Sequence, residues 1–137
     1  MLQMRILAID PGEKNIGIAI SDPTGSIANP LTIIRHRSRA EDAAAILQLA
    51  AQNEVGLIVV GQNLDEEGAP TFQGRRAARL RGAIRAITDI PVELWDESGS
   101  TQSARQARHD MNAPQSKRRG HLDELAATVI LQTYLDS

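Results

Sequence analysis

Short apolar runs separated by polar turns dominate the chain. Ile6-Leu7-Ala8-Ile9, Ile16 to Ile20 and Leu57-Ile58-Val59-Val60 each have the length of a buried strand and are too short for a helix. The first run stops at Asp10, followed by Pro11-Gly12, a turn dipeptide, so the first two runs predict a β-hairpin over Arg5 to Asp22. Ser26 to Ile34 predicts a third strand, and Pro30 within it calls for an edge position, because proline cannot donate to a ladder. Leu57 to Val60 is almost purely aliphatic, the pattern of a central parallel strand covered on both faces. Ile90 to Trp95 predicts a fifth strand, ending in Asp96-Glu97.

Between and after these runs the spacing becomes helical. Ser38 followed by Glu41 has the form of a capping box, and Ala43, Ile46, Leu47, Ala50 and Ala51 recur on one face up to an expected stop at Gly56. A second helix is predicted from Thr71 to Thr88, with Ala77, Leu80, Ala83, Ile84 and Ile87 as its apolar stripe. Ser100 to His109 predicts a short helix, Asp110 to Gly120 a basic loop, and Leu122 to Leu135 a final helix. Three strands, then two more each reached through a helix, predict an α/β fold with a mixed five-stranded sheet and helices packed on it. No repeat or linker divides residues 1–137, which are expected to form a single domain.

Composition narrows the chemistry. With 137 residues and no cysteine, disulfides, thiolate zinc sites and cysteine nucleophiles are excluded. No run reaches membrane-spanning length and the N-terminus lacks the pattern of a signal peptide, so a soluble cytoplasmic protein is expected. The net charge of −2 conceals an asymmetry: residues 1–70 hold 5 Lys/Arg against 9 Asp/Glu, residues 71–137 hold 10 against 8. Basic residues cluster at Arg75, Arg76, Arg79, Arg81 and Arg85, and again at Lys117, Arg118 and Arg119. Either cluster can be a solvated face or a track for phosphates. Phe72, Trp95 and Tyr134 are the only aromatics besides histidine, too few for a platform that stacks successive bases.

Asp10 alone could cap its turn. Together, Asp10, the Asp96-Glu97 pair and Asp123 fall at strand ends or at the start of a helix packed on the same sheet, where ligands of such sheets gather. Carboxylates converging there would repel unless a divalent cation neutralised them, and hard oxygen ligands select Mg²⁺ or Mn²⁺. The natural chemistry is displacement at phosphorus. No serine–histidine pair competes, and His36, His109 and His121 lie in or beside basic polar segments, as surface histidines do.

The segments ILAIDPGEKNIGIAISD (6–22), PLTII (30–34), LIVVG (57–61), WDES (95–98) and KRRGHLDELAATVILQTYL (117–135) resemble the YqgF/RuvX family. Its members are RNase H-like proteins described as candidate pre-16S rRNA nucleases or Holliday-junction-resolvase-like proteins. The resemblance implies an RNase H-like sheet of order 3-2-1-4-5, with the first three strands antiparallel. It implies a metal-dependent nuclease whose catalytic and metal-binding acids are Asp10, Glu97 and Asp123. Glu97, not Asp96, matches the glutamate of the family's Asp-Glu-Arg motif, and Asp65 in the loop after the fourth strand is a fallback ligand. Lys14 matches a basic position in the first loop. It joins Arg75, Arg76, Arg79, Lys117, Arg118 and Arg119 as the expected substrate-binding set.

Two departures stand out: Ser98 replaces the motif's arginine, and Gln62-Asn63 replaces a Leu-Pro. One geometric tension also stands. In the order 3-2-1-4-5 the fifth strand lies two strands from the first, about 9–10 Å away.

The expected activity is cleavage at the 5′ end of the pre-16S rRNA in ribosome biogenesis, with structured RNA and the small-subunit precursor as partners. The alternatives are a DNA endonuclease resolving four-way junctions, which would favour a homodimer over a monomer, and a non-catalytic RNA-binding assembly factor. A nucleotide-binding phosphotransferase is a further class, since the Asp-x-Gly hairpin also resembles the first phosphate loop of actin-like ATPases. That fold closes two domains over its nucleotide, and this chain has the length for one.

Overall fold

The structure is a computed structural model that describes residues 4–97 and 115–137, the side chains of 115–124 excepted. β1 (Arg5–Pro11), β2 (Asn15–Ser21) and β3 (Ala28–Arg35) form an antiparallel meander. α1 (Arg39–Gln52) leads to β4 (Val55–Gln62), α2 (Phe72–Arg85) leads to β5 (Val92–Asp96), and α3 (Gln115–Leu135) follows. The sheet order is β3-β2-β1-β4-β5, with β1–β4 and β4–β5 parallel, as expected. β3 is an edge strand, and it accommodates Pro30 beside a register shift opposite Ile18 and Ala19.

The apolar runs are continuous because both faces of the sheet are covered. Along a strand, side chains alternate between faces. Leu7, Ile9, Ile18, Ile58 and Val60 therefore pack with Ile46 of α1 and with Ala77, Leu80 and Ile84 of α2. Ile6, Ala8, Ala19, Leu57 and Val59 pack with Ala127, Ile130 and Leu131 of α3. Each fully buried Leu or Ile contributes about 1.5–3 kcal/mol. The expected cap forms at Ser38, whose Oγ accepts the Glu41 N–H at 3.1 Å; Thr71, expected as the first residue of the second helix, caps it instead, its Oγ1 accepting the Gly74 N–H at 3.0 Å.

Several boundaries differ from expectation. α1 ends at Gln52 and is capped by Asn53, whose side chain donates to the Leu49 carbonyl, and the chain turns at Glu54 with φ 53°. Gly56 consequently lies inside β4, not at the helix stop. α2 ends at Arg85, short of Thr88, whose hydroxyl accepts the Ile90 N–H in the turn that follows; Ile87 is exposed, outside the core stripe. α3 begins at Gln115, so Lys117, Arg118 and Arg119 lie on a helix instead of in a loop. Gln, Lys and Arg are good helix formers, and the single Gly120 costs only about 1 kcal/mol. The expected short helix over Ser100 to His109, residues 110–114 and Ser98 lie outside the described residues. Among the described residues no helix is long and apolar enough to cross a membrane.

Candidate active site

Alternation determines which acids can meet. On β1, Ile6 and Ala8 face α3, so Asp10, two residues on and half-buried, faces the same way at the strand's end. On β5, Val92 and Leu94 belong to the α1/α2 face and Trp95 to the α3 face. The Glu97 N–H continues the ladder onto the Gln62 carbonyl at 2.9 Å. Glu97 thus shares the face of Asp10, while Asp96 is exposed and out of phase with it. Tyr134 of α3 braces the other end of β5: its hydroxyl donates to Glu93 at 2.9 Å and its ring meets Trp95 edge-on at 5.1 Å.

The separation between β1 and β5 is bridged by an absence. Gly61, paired with Trp95 on the strand between them, has no side chain, and Glu97 lies across it. A Cβ on Gly61 would stand 2.5 Å from Glu97 Oε2 and 2.7 Å from Ile130 Cδ1. Through that gap the Glu97 carboxyl reaches a hydrogen bond with the side chain of Asp10. Burial first, then the charge of Asp10, the shared hydrogen bond and the charge of Asp96 push the Glu97 carboxyl up to about 8. At neutral pH the pair is best described as two acids holding one proton between them. Glu97 Oε2 is buried and has no hydrogen-bond partner among the described residues.

An orphaned buried carboxylate oxygen beside a second carboxylate is a donor set suited to a hard divalent cation. Among the described residues no group of three His, Asp or Glu side chains clusters in this way. Asp123 lies on α3, but its side chain, like those of Lys117, Arg118, Arg119 and His121, is outside the described residues. His109 is outside them altogether.

Other expected residues are placed elsewhere. Asp65 Oδ1 accepts the N–H groups of Glu67 and Ala69, so this fallback acid holds its own exposed loop together. Lys14 is exposed at the β1–β2 turn, where its carbonyl accepts the His36 N–H. Arg75 is exposed, its guanidinium 5.9 Å from the Phe72 ring centre. Arg76 and Arg79 line a cavity with residues of α1, on the sheet face opposite Asp10 and Glu97. His36 is not simply a surface histidine: its Nδ1 meets the carboxylate of Asp42, which is buried.

Sequence reasoning missed Asp42, a polar residue on an otherwise apolar helix face, and it missed Gly61. The signal for Gly61 was present: a glycine at the exit of a strand flanked by two acid-bearing strands. Asp22 fills the turn-capping role that position alone also allows Asp10. It accepts from the Thr24 hydroxyl and the Ser26 and Ile27 N–H groups, which lower its carboxyl to about 2.

Residues 4–137 match the family described as RuvX: Holliday junction resolvase. A protein of Caldanaerobacter subterraneus subsp. tengcongensis, provisionally named pre-16S rRNA nuclease, is 39% identical over 135 residues, covering 98% of this chain and 97% of its own length. A Clostridium acetobutylicum protein with the same provisional name is 37% identical over 134 residues, covering 98% and 99%. Among solved structures, Thermus thermophilus RuvC in complex with a Holliday junction substrate has a TM-score of 0.57 at 15% identity, covering 97% of this chain and 94% of that one. The fowlpox virus resolvase bound to Holliday junction DNA has a TM-score of 0.58 at 11% identity, covering 97% of both chains. At such identities the likeness is one of fold.

Proposed function

The chain belongs to the RuvX family, and on that premise we propose that it is a divalent-metal-dependent nuclease that processes the 5′ end of the pre-16S rRNA in the cytoplasm. The observation that carries this reading is the Asp10–Glu97 pair with its orphaned buried oxygen. A structural pair would be expected to satisfy that oxygen, because leaving a buried acceptor unpaired costs about 1–3 kcal/mol.

In this reading Asp10, Glu97 and Asp123 hold Mg²⁺ or Mn²⁺. When bound, such an ion activates water and stabilises charge at the reacting phosphate. Helical periodicity supports Asp123 as the third acid: it precedes Ile130, which packs over Gly61, by seven residues, about two turns. Lys14 contributes a point charge to a phosphate near Asp10. Arg75, Arg76 and Arg79 of α2 and Lys117, Arg118 and Arg119 at the start of α3 bind the strand further out.

The test is cleavage of a 5′-extended pre-16S rRNA fragment with Mg²⁺ or Mn²⁺. Asp10→Asn is expected to lower the rate by on the order of 10²–10³-fold, several kcal/mol of lost transition-state stabilisation. A rate equal to wild type would overturn the assignment. The family description and the two junction-bound neighbours favour a second reading, a junction-resolving DNA endonuclease using the same acids. Four-way-junction DNA and precursor RNA compared side by side decide between them. RNA binding without cleavage in wild type and Asp10→Asn alike would instead identify a non-catalytic assembly factor.

A further inference from the structure

The sheet face opposite the two acids carries a second charged feature, apart from the acids themselves. A cavity of about 290 Å³ opens between the β1–β2 turn, the start of α1 and α2, lined by Gly12, His36, Arg39, Asp42, Arg76 and Arg79 among others. Its one carboxylate is already engaged: Asp42 meets His36 Nδ1 and accepts the Arg37 N–H at 3.0 Å. Three guanidinium groups then leave the cavity positive. Arg76 Nη1 is buried and has no hydrogen-bond partner among the described residues. Helix α1 begins here, and the positive end of its dipole adds to the preference for an anion.

Three arginines around one cavity, with its single carboxylate already engaged, make a receptor for an oxyanion. Arginine's planar fork matches phosphate geometry. The lining holds no Phe, Tyr or Trp on which a base could stack, and the volume is at the lower end for whole small-molecule ligands. A lone phosphate group fits better than a nucleoside. Gly12 is two residues from Asp10, so the lining approaches within about 7 Å of the acid's backbone. That is about two nucleotides at ~3.4 Å of helix axis per strand.

The geometry points to a phosphate pocket formed by Arg39, Arg76 and Arg79, which holds a backbone phosphate of the bound strand where it passes over the end of β1 onto the far face of the sheet. This rests on nucleic acid being the substrate but does not require cleavage.

The experiment uses full-length protein in chelator, so that nothing is cut, and a fluorescent structured RNA whose affinity is followed against salt. Arg76→Gln is expected to weaken binding roughly three- to tenfold, equally for unrelated sequences, and to lower the salt slope by about one. Arg85→Gln, an equal loss of charge on the exposed end of the same helix, should leave both nearly unchanged. Arg76→Lys should keep the slope. Inorganic phosphate should raise the melting temperature of wild type but not of Arg76→Gln.

Equal effects of Arg76→Gln and Arg85→Gln overturn the pocket. Phosphate stabilisation that depends on Arg76, with RNA binding independent of it, overturns the strand assignment in favour of a free phosphorylated compound. If Arg76→Gln behaves as expected while wild type cuts no substrate, the pocket stands and the nuclease reading fails.

Discussion

The two faces of the sheet are built to different rules. Towards α1 and α2 the strands present large aliphatics (Leu7, Ile9, Ile18 and Ile58), and the charged groups form a cavity at the margin of that core. Towards α3 they present Ala8, Ala19 and, at the end of β4, no side chain at all. The first face contributes most of the buried apolar volume. The second leaves a gap into which an acid can extend. On the proposed reading, stability and chemistry divide between opposite faces of one sheet, and substitutions should separate them.

The largest loss of stability is expected on the α1 side. Ile46→Ala removes a fully buried side chain there and should cost about 2–5 kcal/mol in chemical denaturation. Cleavage per folded molecule should be close to wild type. If activity fell in proportion to a shifted Glu97 titration instead, the two faces would not be separable.

Gly61→Ala inverts that outcome. The added methyl meets Glu97 Oε2 and Ile130 Cδ1 within 2.7 Å, so overpacking should cost a smaller 1–3 kcal/mol, roughly. Glu97 is displaced from Asp10, and activity should fall about as far as in Asp10→Asn. NMR of the metal-free variant should find the Glu97 carboxyl closer to its ordinary value. Wild-type activity in this variant would show that Glu97 need not cross Gly61.

The pH dependence of the metal-free protein sharpens the same point. Glu97 is raised from an ordinary 4.5 to about 8, so the folded state binds its proton more tightly than the unfolded chain. Its contribution is present in full below about 4.5 and is lost as pH rises through about 8. Stability from urea titrations should therefore decline between pH 5 and 8, and Glu97→Gln should flatten that decline. Added Mg²⁺ should stabilise wild type more at pH 8 than at pH 5, because the cation competes with the proton.

The smallest effect is a control. Gly82 is exposed on α2 and a Cβ there meets nothing within 4 Å. Gly82→Ala should raise stability by about 0.5–1 kcal/mol through helix propensity and leave cleavage unchanged.

Much of the fold was legible in the chain because it follows from local rules. Strand alternation, the Pro11-Gly12 turn, the Ser38 cap and the edge position of Pro30 each depend on a few neighbouring residues. Boundaries differ where glycine is a weak punctuator: Gly56, the expected helix stop, lies within a strand, and Gly120, the end of the expected basic loop, lies within a helix.

The site was legible only as a set of candidates. Asp10 at the exit of the first strand and an acid at the end of the fifth could be named from sequence, and resemblance favoured Glu97 over Asp96. Period-two geometry, propagated from Trp95, supplies the physical reason for that preference.

Sequence by itself determined the order of elements, the two-sided burial of the central strands and the presence of acids at strand ends. These depend on backbone periodicity and turn chemistry, which act over a few residues. Only the tertiary structure decided that Glu97 meets Asp10 across Gly61 and that Arg76 and Arg79 open onto the opposite face with His36 and Asp42. Each of those outcomes depends on which strands become neighbours and on what a side chain finds across the gap, distances that no local pattern encodes.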